Sequence, residues 1–345
     1  MIVQEATSVL ESFADLAAIA EEWNALLDDS AQSAFSVRPL WLLTWWRRFA
    51  PRDGRLRAIA CRDAAGTLVG LAPLYFDPAE REVRFIGVIT DTAGDGALPT
   101  NHTGSIIARR GSEAAAVAAI AGAIEEQADW TRLWLARLRP EHETVDLFAG
   151  ALGGKTQLRA NSQPNLFVDT RGDWETYRAA LGAAGRKRIQ NYARRAVERG
   201  CAFRRVVSID ELGHAFALYL GWHDALLGGR GIYSRPHCAA FLRDVVVKGF
   251  GERRVRVWIA ELDGAIVAVD IGLIDRGVLT EFQGHADPAH AAMRLGHVMT
   301  SHLLRDCFAD PDIDEVILGK AAPHKLHWAR ETWGTVDLIC ARGGE

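Results

Sequence analysis

Four polar side chains in two neighbouring strands have the types and spacing that acid–base chemistry needs. Along the predicted strand 279–285, regular alternation places Glu281, Gln283 and His285 on one face. A carboxylate or an imidazole can accept or donate a proton, and the amide of Gln283 can donate a hydrogen bond. Asp270 lies in an otherwise apolar strand, where a lone carboxylate is costly unless it is paired or turned toward a cleft. A solvated strand face without a catalytic role would show the same pattern.

A glycine is predicted to lie at the start of a helix shortly after that strand. The segment reads Arg294, Leu295, Gly296, His297 and Val298. A glycine in this place lets backbone N–H groups approach a phosphate closely, and the helix dipole favours the negative charge. We therefore predict a phosphate-bearing ligand at this turn, with a simple helix-start glycine as the alternative.

Basic residues concentrate between positions 186 and 205, where the one acid is Glu198. They are Arg186, Lys187, Arg188, Arg194, Arg195, Arg199, Arg204 and Arg205. A helix with this bias attracts phosphates or acidic sugars by Coulomb steering. It would suit a CoA, a nucleotide-sugar or lipid-linked acceptor, or an aminoacyl-tRNA, whereas an incidentally basic solvated helix needs no ligand.

The elements that must position these residues repeat along the chain. Residues 57–76 read RAIACRDAAGTLVGLAPLYF and residues 256–276 read RVWIAELDGAIVAVDIGLIDR, two strand-turn-strand segments that align on Gly66 and Gly264. Helices precede each segment, and a strand, a helix and a further strand follow it. Helices followed by mostly antiparallel strands with one embedded helix indicate an α+β fold and not a doubly wound sheet.

Composition limits the classes of function. A chain of 345 residues with 49% hydrophobic content most naturally forms two domains, which we place at 1–160 and 161–345. The net charge of -4 argues against a dedicated DNA-binding protein. Five scattered cysteines without CxxC spacing indicate neither a disulfide framework nor a zinc site. The N-terminus lacks a signal-peptide pattern and no apolar run reaches the roughly 18 residues of a membrane span, so we predict a cytoplasmic protein.

Short motifs that follow one another along nearly the whole chain resemble one superfamily. They are Trp41-Leu42-Leu43-Thr44-Trp45-Trp46, Leu68-Val69-Gly70-Leu71-Ala72-Pro73-Leu74, the basic helix from Arg186 to Arg195, Arg294-Leu295-Gly296, and Pro323-His324-Lys325 leading into Trp328. Together they resemble the GNAT N-acyltransferase fold used twice, in the BioF-like/CelD branch related to the FemABX transferases. The GNAT pyrophosphate loop usually reads Q/R-x-x-G-x-G/A, and the segment 291–298 offers one glycine.

The resemblance implies two tandem GNAT domains, each a mixed, mainly antiparallel sheet flanked by helices. It also implies transfer of an acyl group from acetyl-CoA or another acyl-CoA to an amine or hydroxyl of a small molecule, sugar or polysaccharide precursor. Glu281 and His285 are then candidate bases, and Asp270 is a third catalytic candidate. Gln283 and the segment 294–298 would contact the acyl-CoA, which we expect the second domain alone to bind.

The acceptor side of the site is expected to involve further residues. By similarity to an aromatic-Lys pattern of the family, Lys325 would meet the substrate. Trp328 beside it would stack on a sugar or adenine ring, and Arg194 in the basic helix would contact a negatively charged substrate. Asp91 and Asp95, in a Gly-rich loop of the first domain, would face the interdomain cleft, although turn chemistry alone also explains acids there.

Two other functions stay open. A FemABX-like aminoacyl transferase would use charged tRNA, which the basic helix supports and the overall acidity opposes. A tandem fold that binds or scaffolds without catalysis is favoured by the single-glycine loop. We predict no metal site, because His285, His324 and His327 form no HxxxH helical pair and have no acidic partner at ligand spacing.

Overall fold

The computed structural model describes residues 6–32, 34–88, 103–153, 155–161, 164–322, 325–329 and 331–342. The chain forms two compact units. The first contains Met1–Ser162 together with Gly334–Glu345, and the second contains Gln163–Trp333.

The first unit combines helices with short strands. Its helices are α1 (Phe13–Ala18), α2 (Ala20–Asp28), α3 (Pro39–Phe49), α4 (Glu113–Glu125) and α5 (Glu143–Ala151). Its strands are β1 (Ala6–Leu10), β2 (Arg55–Leu56), β3 (Ala58–Arg62), β4 (Leu68–Ala72), β5 (Leu74–Asp77), β6 (Glu82–Phe85), β7 (Ile107–Ala108), β8 (Arg132–Leu138), β9 (Lys155–Ala160) and the C-terminal β17 (Val336–Ala341).

These strands form two sheets, because the hairpin of the first repeat is interrupted at Pro73. One sheet has the order β1-β3-β4-β7 and the other the order β2-β5-β6-β8-β17-β9. Proline has no N–H for a ladder hydrogen bond, so the chain changes sheets between β4 and β5. Helix α4 packs its apolar side on β3 and β4, and at Gly70 a Cβ atom would lie 2.9 Å from that of Ala116. The glycine therefore permits close helix–sheet packing.

The second unit places helices before and around one large sheet. Its helices are α6 (Trp174–Ala180), α7 (Ala183–Glu198), α8 (Ile209–Leu227), α9 (Pro236–Gly251) and α10 (Leu295–Phe308). Its strands are β10 (Asn165–Asp169), β11 (Ala202–Arg205), β12 (Val255–Leu262), β13 (Ala265–Asp275), β14 (Val278–Ala286), β15 (Glu315–Lys320) and β16 (Thr332–Trp333).

The large sheet has the order β11-β12-β13-β14-β15-β10-β16 and is antiparallel except at one place. Strands β14 and β15 run parallel and pair at residues 278–280 with residues 315–317. Beyond this short ladder β14 continues to Ala286 and β15 to Lys320, with no further pairing between them in the described chain. The two strands therefore part and leave a wedge at the centre of the sheet.

Local sequence signals explain the helices that border the wedge. Helix α8 begins after Ser208, whose side chain accepts a hydrogen bond from the N–H of Glu211, and ends at Gly228 in the left-handed region (φ 56°). Helix α10 begins after Arg294, which is itself left-handed (φ 53°) and ends the preceding short 3-10 turn. The apolar side of α10, with Val298 and Leu303, is buried against the sheet.

The structure confirms an α+β fold of mainly antiparallel sheets flanked by helices. The two strand-turn-strand segments are β3 with β4 and β12 with β13, and their turn glycines, Gly66 and Gly264, both have positive φ angles of 80° and 78°. The predicted domain 161–345 needs a correction at its end. Strand β17 pairs with β8 and β9, so residues 334–345 belong to the first unit.

Among the described residues, none of the helices has both the length and the apolar character that crossing a bilayer requires. In the same part of the chain, no group of three or more His, Cys, Asp or Glu side chains is arranged to hold a metal ion.

Candidate functional site

A cavity of about 760 Å³ opens in the second unit where β14 and β15 part. Residues 268–270 and 281–288 line one side, and residues 294–297 at the start of α10 line another. Lys320 and Lys325 lie on the β15 side. The cavity thus brings together Asp270, Glu281, Gln283, His285 and Lys325, but none of the described basic residues between positions 186 and 205.

A β-bulge in β14 changes the predicted arrangement of those residues. Gly272 pairs with Glu281, but the adjacent Ile271 pairs with Gln283, so Phe282 is an extra residue without a partner in the ladder. Cross-strand partners share a face, and successive residues of β13 alternate. Glu281 therefore lies on the opposite face from Gln283. The prediction that Glu281, Gln283 and His285 share one face is wrong, because it assumed a regular strand.

Glu281 is held by two donors on the α10 face. The hydroxyl of Thr300 donates to Oε1 at 2.8 Å, and Nζ of Lys325 lies 3.3 Å from Oε2. Lys325 also donates to the carbonyl of Leu318 at the end of β15. The carboxylate is only 10% exposed, so its ion pair with Lys325 is largely shielded from water. Glu281 is a fixed carboxylate that faces the cavity.

Asp270 lies directly behind Glu281. It is 4% exposed, and its Oδ1 has no hydrogen-bond partner among the described residues. Burial raises the pKa of Asp270 well above its usual range, and the neighbouring Glu281 carboxylate raises it further. Both effects favour the protonated form of Asp270, which shares a hydrogen bond with Glu281. A Cβ atom at Gly284 would lie 3.1 Å from the carboxyl carbon, so this glycine provides the space for Asp270.

Gln283 points to the other face of the sheet, toward α8. The hydroxyl of Tyr219 donates to Oε1 of Gln283 at 3.2 Å. With its oxygen engaged in this way, the amide presents its two N–H donors to the cavity that Gln283 lines. Gln283 thus has the geometry of the predicted hydrogen-bond donor.

His285 also faces α8 and meets a second histidine there. Its Nε2 lies 2.8 Å from Nδ1 of His223, and the ring of Tyr219 stacks on it at 5.2 Å. Burial and the adjacent His223 lower the pKa of His285 to about 4. The imidazole is therefore neutral at pH 7, and one of its two nitrogens is already engaged.

The start of α10 forms the far end of the cavity. Among the described residues, no side chain caps this helix start, and no atom lies within 4 Å of a Cβ placed on Gly296. A side chain at Gly296 would therefore occupy the cavity itself. Leu295 and Val298 are buried in the core, and of the predicted segment Val298 does not line the cavity. The structure thus brings Arg294, Leu295, Gly296 and His297 of this segment to the cavity but not Val298.

Two residues near the C-terminus that were predicted to contact the substrate, Lys325 and Trp328, differ in how deeply they are buried. Lys325 lies in the cavity beside Glu281, as described above. Trp328 is only 2% exposed and packs in the core of the second unit, with its carbonyl accepting a hydrogen bond from Tyr177. Trp328 nevertheless lines the same cavity as Lys325, so its stacking on a sugar or adenine stays a prediction.

Ion pairs neutralise much of the basic segment. Arg194 is exposed, pairs with Glu198 on the same helix and does not line the cavity. Arg204 pairs with Glu211 and Glu261, and Arg205 pairs with Asp306. The predicted substrate contact of Arg194 is therefore not part of this cavity. Asp91 and Asp95 lie outside the described residues.

The sequence analysis missed three residues that support the site. Thr300 follows Gly296 by four positions and so lies on the same side of α10, a spacing that could have identified it. Tyr219 and His223 are four positions apart on α8 and both are buried against β14. Their partners depend on which face of β14 turns toward α8, and the bulge determines that.

Comparisons with known proteins agree with this architecture. The sequence model of a family described as an acetyltransferase (GNAT) domain matches residues 183–326, which include the cavity strands, α10 and Lys325. No curated protein matches the chain.

Solved structures resemble the chain over nearly its whole length. The crystal structure of FemX has a TM-score of 0.67 at 9% identity and covers 94% of this chain and 96% of its own. The C-terminal domain (DUF2156) of a putative lysylphosphatidylglycerol synthetase from Agrobacterium fabrum has a TM-score of 0.61 at 10% identity, with coverages of 95% and 92%. L-PGS from Bacillus licheniformis has a TM-score of 0.54 at 11% identity, with coverages of 94% and 91%. At these identities the likeness shows only that the chain shares its fold with these proteins, and the match to the acetyltransferase (GNAT) family lies within the second unit.

Proposed function

We propose that this protein is an acyltransferase that moves an acyl group from an acyl-CoA, such as acetyl-CoA, to an amine or hydroxyl of a small-molecule or saccharide-precursor acceptor. The observation that carries the proposal is the position of Glu281. This carboxylate, fixed by Thr300 and Lys325, lies where β14 and β15 part, in one cavity with the uncapped start of α10. Membership of the BioF-like/CelD branch is part of the same proposal.

The donor would lie along the wedge with its phosphates at α10. Backbone N–H groups at the helix start and the helix dipole favour an anion there, and Gly296 leaves the space open. Arg294 and Lys320 line the same cavity and add positive charge. The N–H donors of Gln283 are placed to bind a carbonyl oxygen of the donor.

The acceptor would react at Glu281. Its nitrogen or oxygen attacks the thioester carbonyl carbon, the new bond to carbon forms, and the C–S bond breaks to release the CoA thiolate. Glu281 accepts the proton of the nucleophile and can return it to the thiolate. Lys325 pairs with the carboxylate and orients it, and Asp270 supports it from behind through their shared hydrogen bond. Asp270 acts in this scheme through Glu281 and not as a base.

Calorimetric titration with acetyl-CoA tests the donor site. Gly296→Asp places a carboxylate at the helix start and in the cavity, so we expect the Kd to rise at least about tenfold. Gly213→Asp is the matched control, because Gly213 is an exposed helix glycine with no described atom within 4 Å of its Cβ position. Equal affinity of the wild type and both variants would contradict the proposed donor site.

A FemABX-like transfer from charged tRNA is the second candidate, and an exposed basic surface favours it. Lys187, Arg195 and Arg199 are exposed on or next to α7, and no ion pair to another described residue accompanies them. Charge reversal at Arg194 and Arg195 should abolish tRNA binding and its salt dependence but weaken acetyl-CoA binding only modestly. Fluorescence anisotropy with aminoacylated tRNA at several salt concentrations distinguishes the two donors.

A non-catalytic role is the third candidate. It predicts that Glu281→Gln and Gly296→Asp leave every measurable activity of the protein unchanged. Loss of transferase activity in Glu281→Gln with retained acetyl-CoA binding would exclude it.

A further inference from the structure

A chain of hydrogen bonds behind the cavity determines the protonation of two histidines. The backbone N–H of Tyr233 donates to Nε2 of His223 at 3.3 Å. Nδ1 of His223 lies 2.8 Å from Nε2 of His285. A backbone N–H is always a donor, so Nε2 of His223 must be the acceptor and carries no proton.

The tautomers of both rings follow from this first bond. A neutral His223 without a proton on Nε2 carries it on Nδ1, which therefore donates to Nε2 of His285. A neutral His285 that accepts at Nε2 carries its own proton on Nδ1. The chain thus runs in one direction, from the Tyr233 backbone through His223 to His285.

Both rings are neutral under ordinary conditions. Burial lowers the pKa of His223, and burial together with His223 lowers the pKa of His285 to about 4. A charged His223 would also place a proton on Nε2, directly against the Tyr233 N–H. Neutrality and direction of the chain are therefore consistent.

Nδ1 of His285 is the end of the chain, and it is accessible. This nitrogen has no hydrogen-bond partner among the described residues, and it is not one of the unpartnered polar atoms that are buried. The His285 side chain also lines the cavity. The stacked ring of Tyr219 limits how the imidazole can turn. The proton on Nδ1 is thus presented to whatever occupies the cavity.

We infer that His285 serves the cavity as a neutral hydrogen-bond donor through its Nδ1–H, and that His223 is the positioning residue that fixes this tautomer. The ligand would place a carbonyl, hydroxyl or phosphate oxygen against His285. This assignment replaces the predicted role of His285 as general base, because its unprotonated nitrogen already accepts from His223. That the ligand is an acyl-CoA rests on the proposed function, whereas the tautomer assignment does not.

Long-range ¹H–¹⁵N NMR correlations of the histidine rings test the tautomers without any ligand. We expect His223 and His285 both to be neutral and protonated on Nδ1 at pH 7, with assignments made by His223→Asn and His285→Asn. A protonated Nε2 on His285, or an imidazolium at either position, would overturn the inference.

Gly231→Ala breaks the chain without changing either histidine. A Cβ atom at Gly231 would lie 2.2 Å from Nε2 of His223, so His223 must move. We expect His285 then to show a mixture of both tautomers, while a thermal melt establishes that the variant is folded. An unchanged His285 spectrum in a folded Gly231→Ala would show that His223 does not fix the tautomer. If that variant fails to fold, His223→Leu, which removes the donor to His285, is measured in the same way.

Two substitutions at His285 test the donor atom with acetyl-CoA as the probe. The amide nitrogen of Asn reaches the place of Nδ1, whereas that of Gln reaches the place of Nε2. We expect His285→Asn to bind within about threefold of the wild type and His285→Gln to bind roughly 3- to 10-fold more weakly, the effect of one neutral hydrogen bond. The reverse order would overturn the inference. If the wild type does not bind acetyl-CoA, the proposed function fails and the NMR result alone decides the tautomer assignment.

Discussion

Replacement of the buried Asp270 by Asn should make the protein increasingly more stable than the wild type as the pH rises. Burial first, and then the Glu281 carboxylate, raise the pKa of Asp270 in the folded state. The folded state therefore retains a proton that the unfolded state releases, so the free energy of unfolding falls as the pH increases through this window. The amide that replaces the carboxyl group in Asp270→Asn does not titrate, but it still has an N–H donor for Glu281.

The size of the effect follows from linkage. In the window between the unfolded-state pKa of about 3.9 and the raised folded-state pKa, each pH unit lowers the wild-type stability by about 1.4 kcal/mol relative to the variant. Titrating groups that do not contact Asp270 are common to both proteins, so they cancel in the difference.

Urea titrations of the wild type and Asp270→Asn at several pH values between 4 and 8 measure this difference directly. We expect the stability difference to increase linearly with pH until it reaches a plateau at the folded-state pKa. A difference that is independent of pH would refute the reasoning, because it would mean that Asp270 is ionised in the fold.

Asp275→Asn on the same strand is the matched control. Asp275 is 1% exposed, but Oδ1 lies 3.2 Å from Nη1 of Arg254. The substitution weakens the contact with Arg254, which is 25% exposed and also lies 4.0 Å from Glu252, so we expect destabilisation by roughly 1–3 kcal/mol. Opposite signs for the two variants near neutral pH would show that the carboxyl groups differ in charge and not merely in burial.

Two further predictions concern activity and packing. Glu281→Gln should lower kcat by roughly 10²- to 10⁴-fold, as expected for loss of a general base, and Thr300→Val by about tenfold or less, measured by CoA release with retained acetyl-CoA affinity in both. Gly104→Ala should destabilise the first unit by about 1–3 kcal/mol, because its Cβ would lie 2.5 Å from the ring of Phe85. Gly122→Ala, with no described atom within 4 Å of the added Cβ, should be neutral or up to about 1 kcal/mol stabilising in the same thermal melts.

The sequence predicted those parts of the fold that depend on local pattern. The repeat was recognisable because Gly66 and Gly264 occupy turn positions with positive φ, which few other residues tolerate. Helix α3, Pro39–Phe49, likewise follows from local pattern, since proline suits a first turn and its tryptophans recur at helical spacing. The place of β17 was not predictable in this way. Alternation identifies a strand, but the partners of β17 are β8 and β9, which are separated from it in sequence by the whole second unit.

The candidate site was predicted by residue type and misjudged in geometry. Glu281, Lys325 and Gly296 line one cavity. They could be recognised from the sequence because a carboxylate, an amine and a glycine are each unusual in their sequence context. The burial of individual side chains was harder to predict than their residue types suggested. Nothing in the sequence shows how deeply a tryptophan is buried, and Trp328, which lines the cavity, is only 2% exposed.

The single extra residue in β14 explains how one strand serves two kinds of chemistry. With Phe282 unpaired in the ladder, Glu281 turns to α10, where Thr300 and Lys325 fix a proton acceptor. Beyond the bulge, the strand turns Gln283 and His285 to α8, whose buried tyrosine and histidine occupy their acceptor atoms and leave N–H donors. A regular strand would bring the carboxylate onto the donor face, where the donors would bind it and not a ligand. In the proposed reaction, the bulge would therefore keep the base free for the acceptor and the donors free for the acyl carrier.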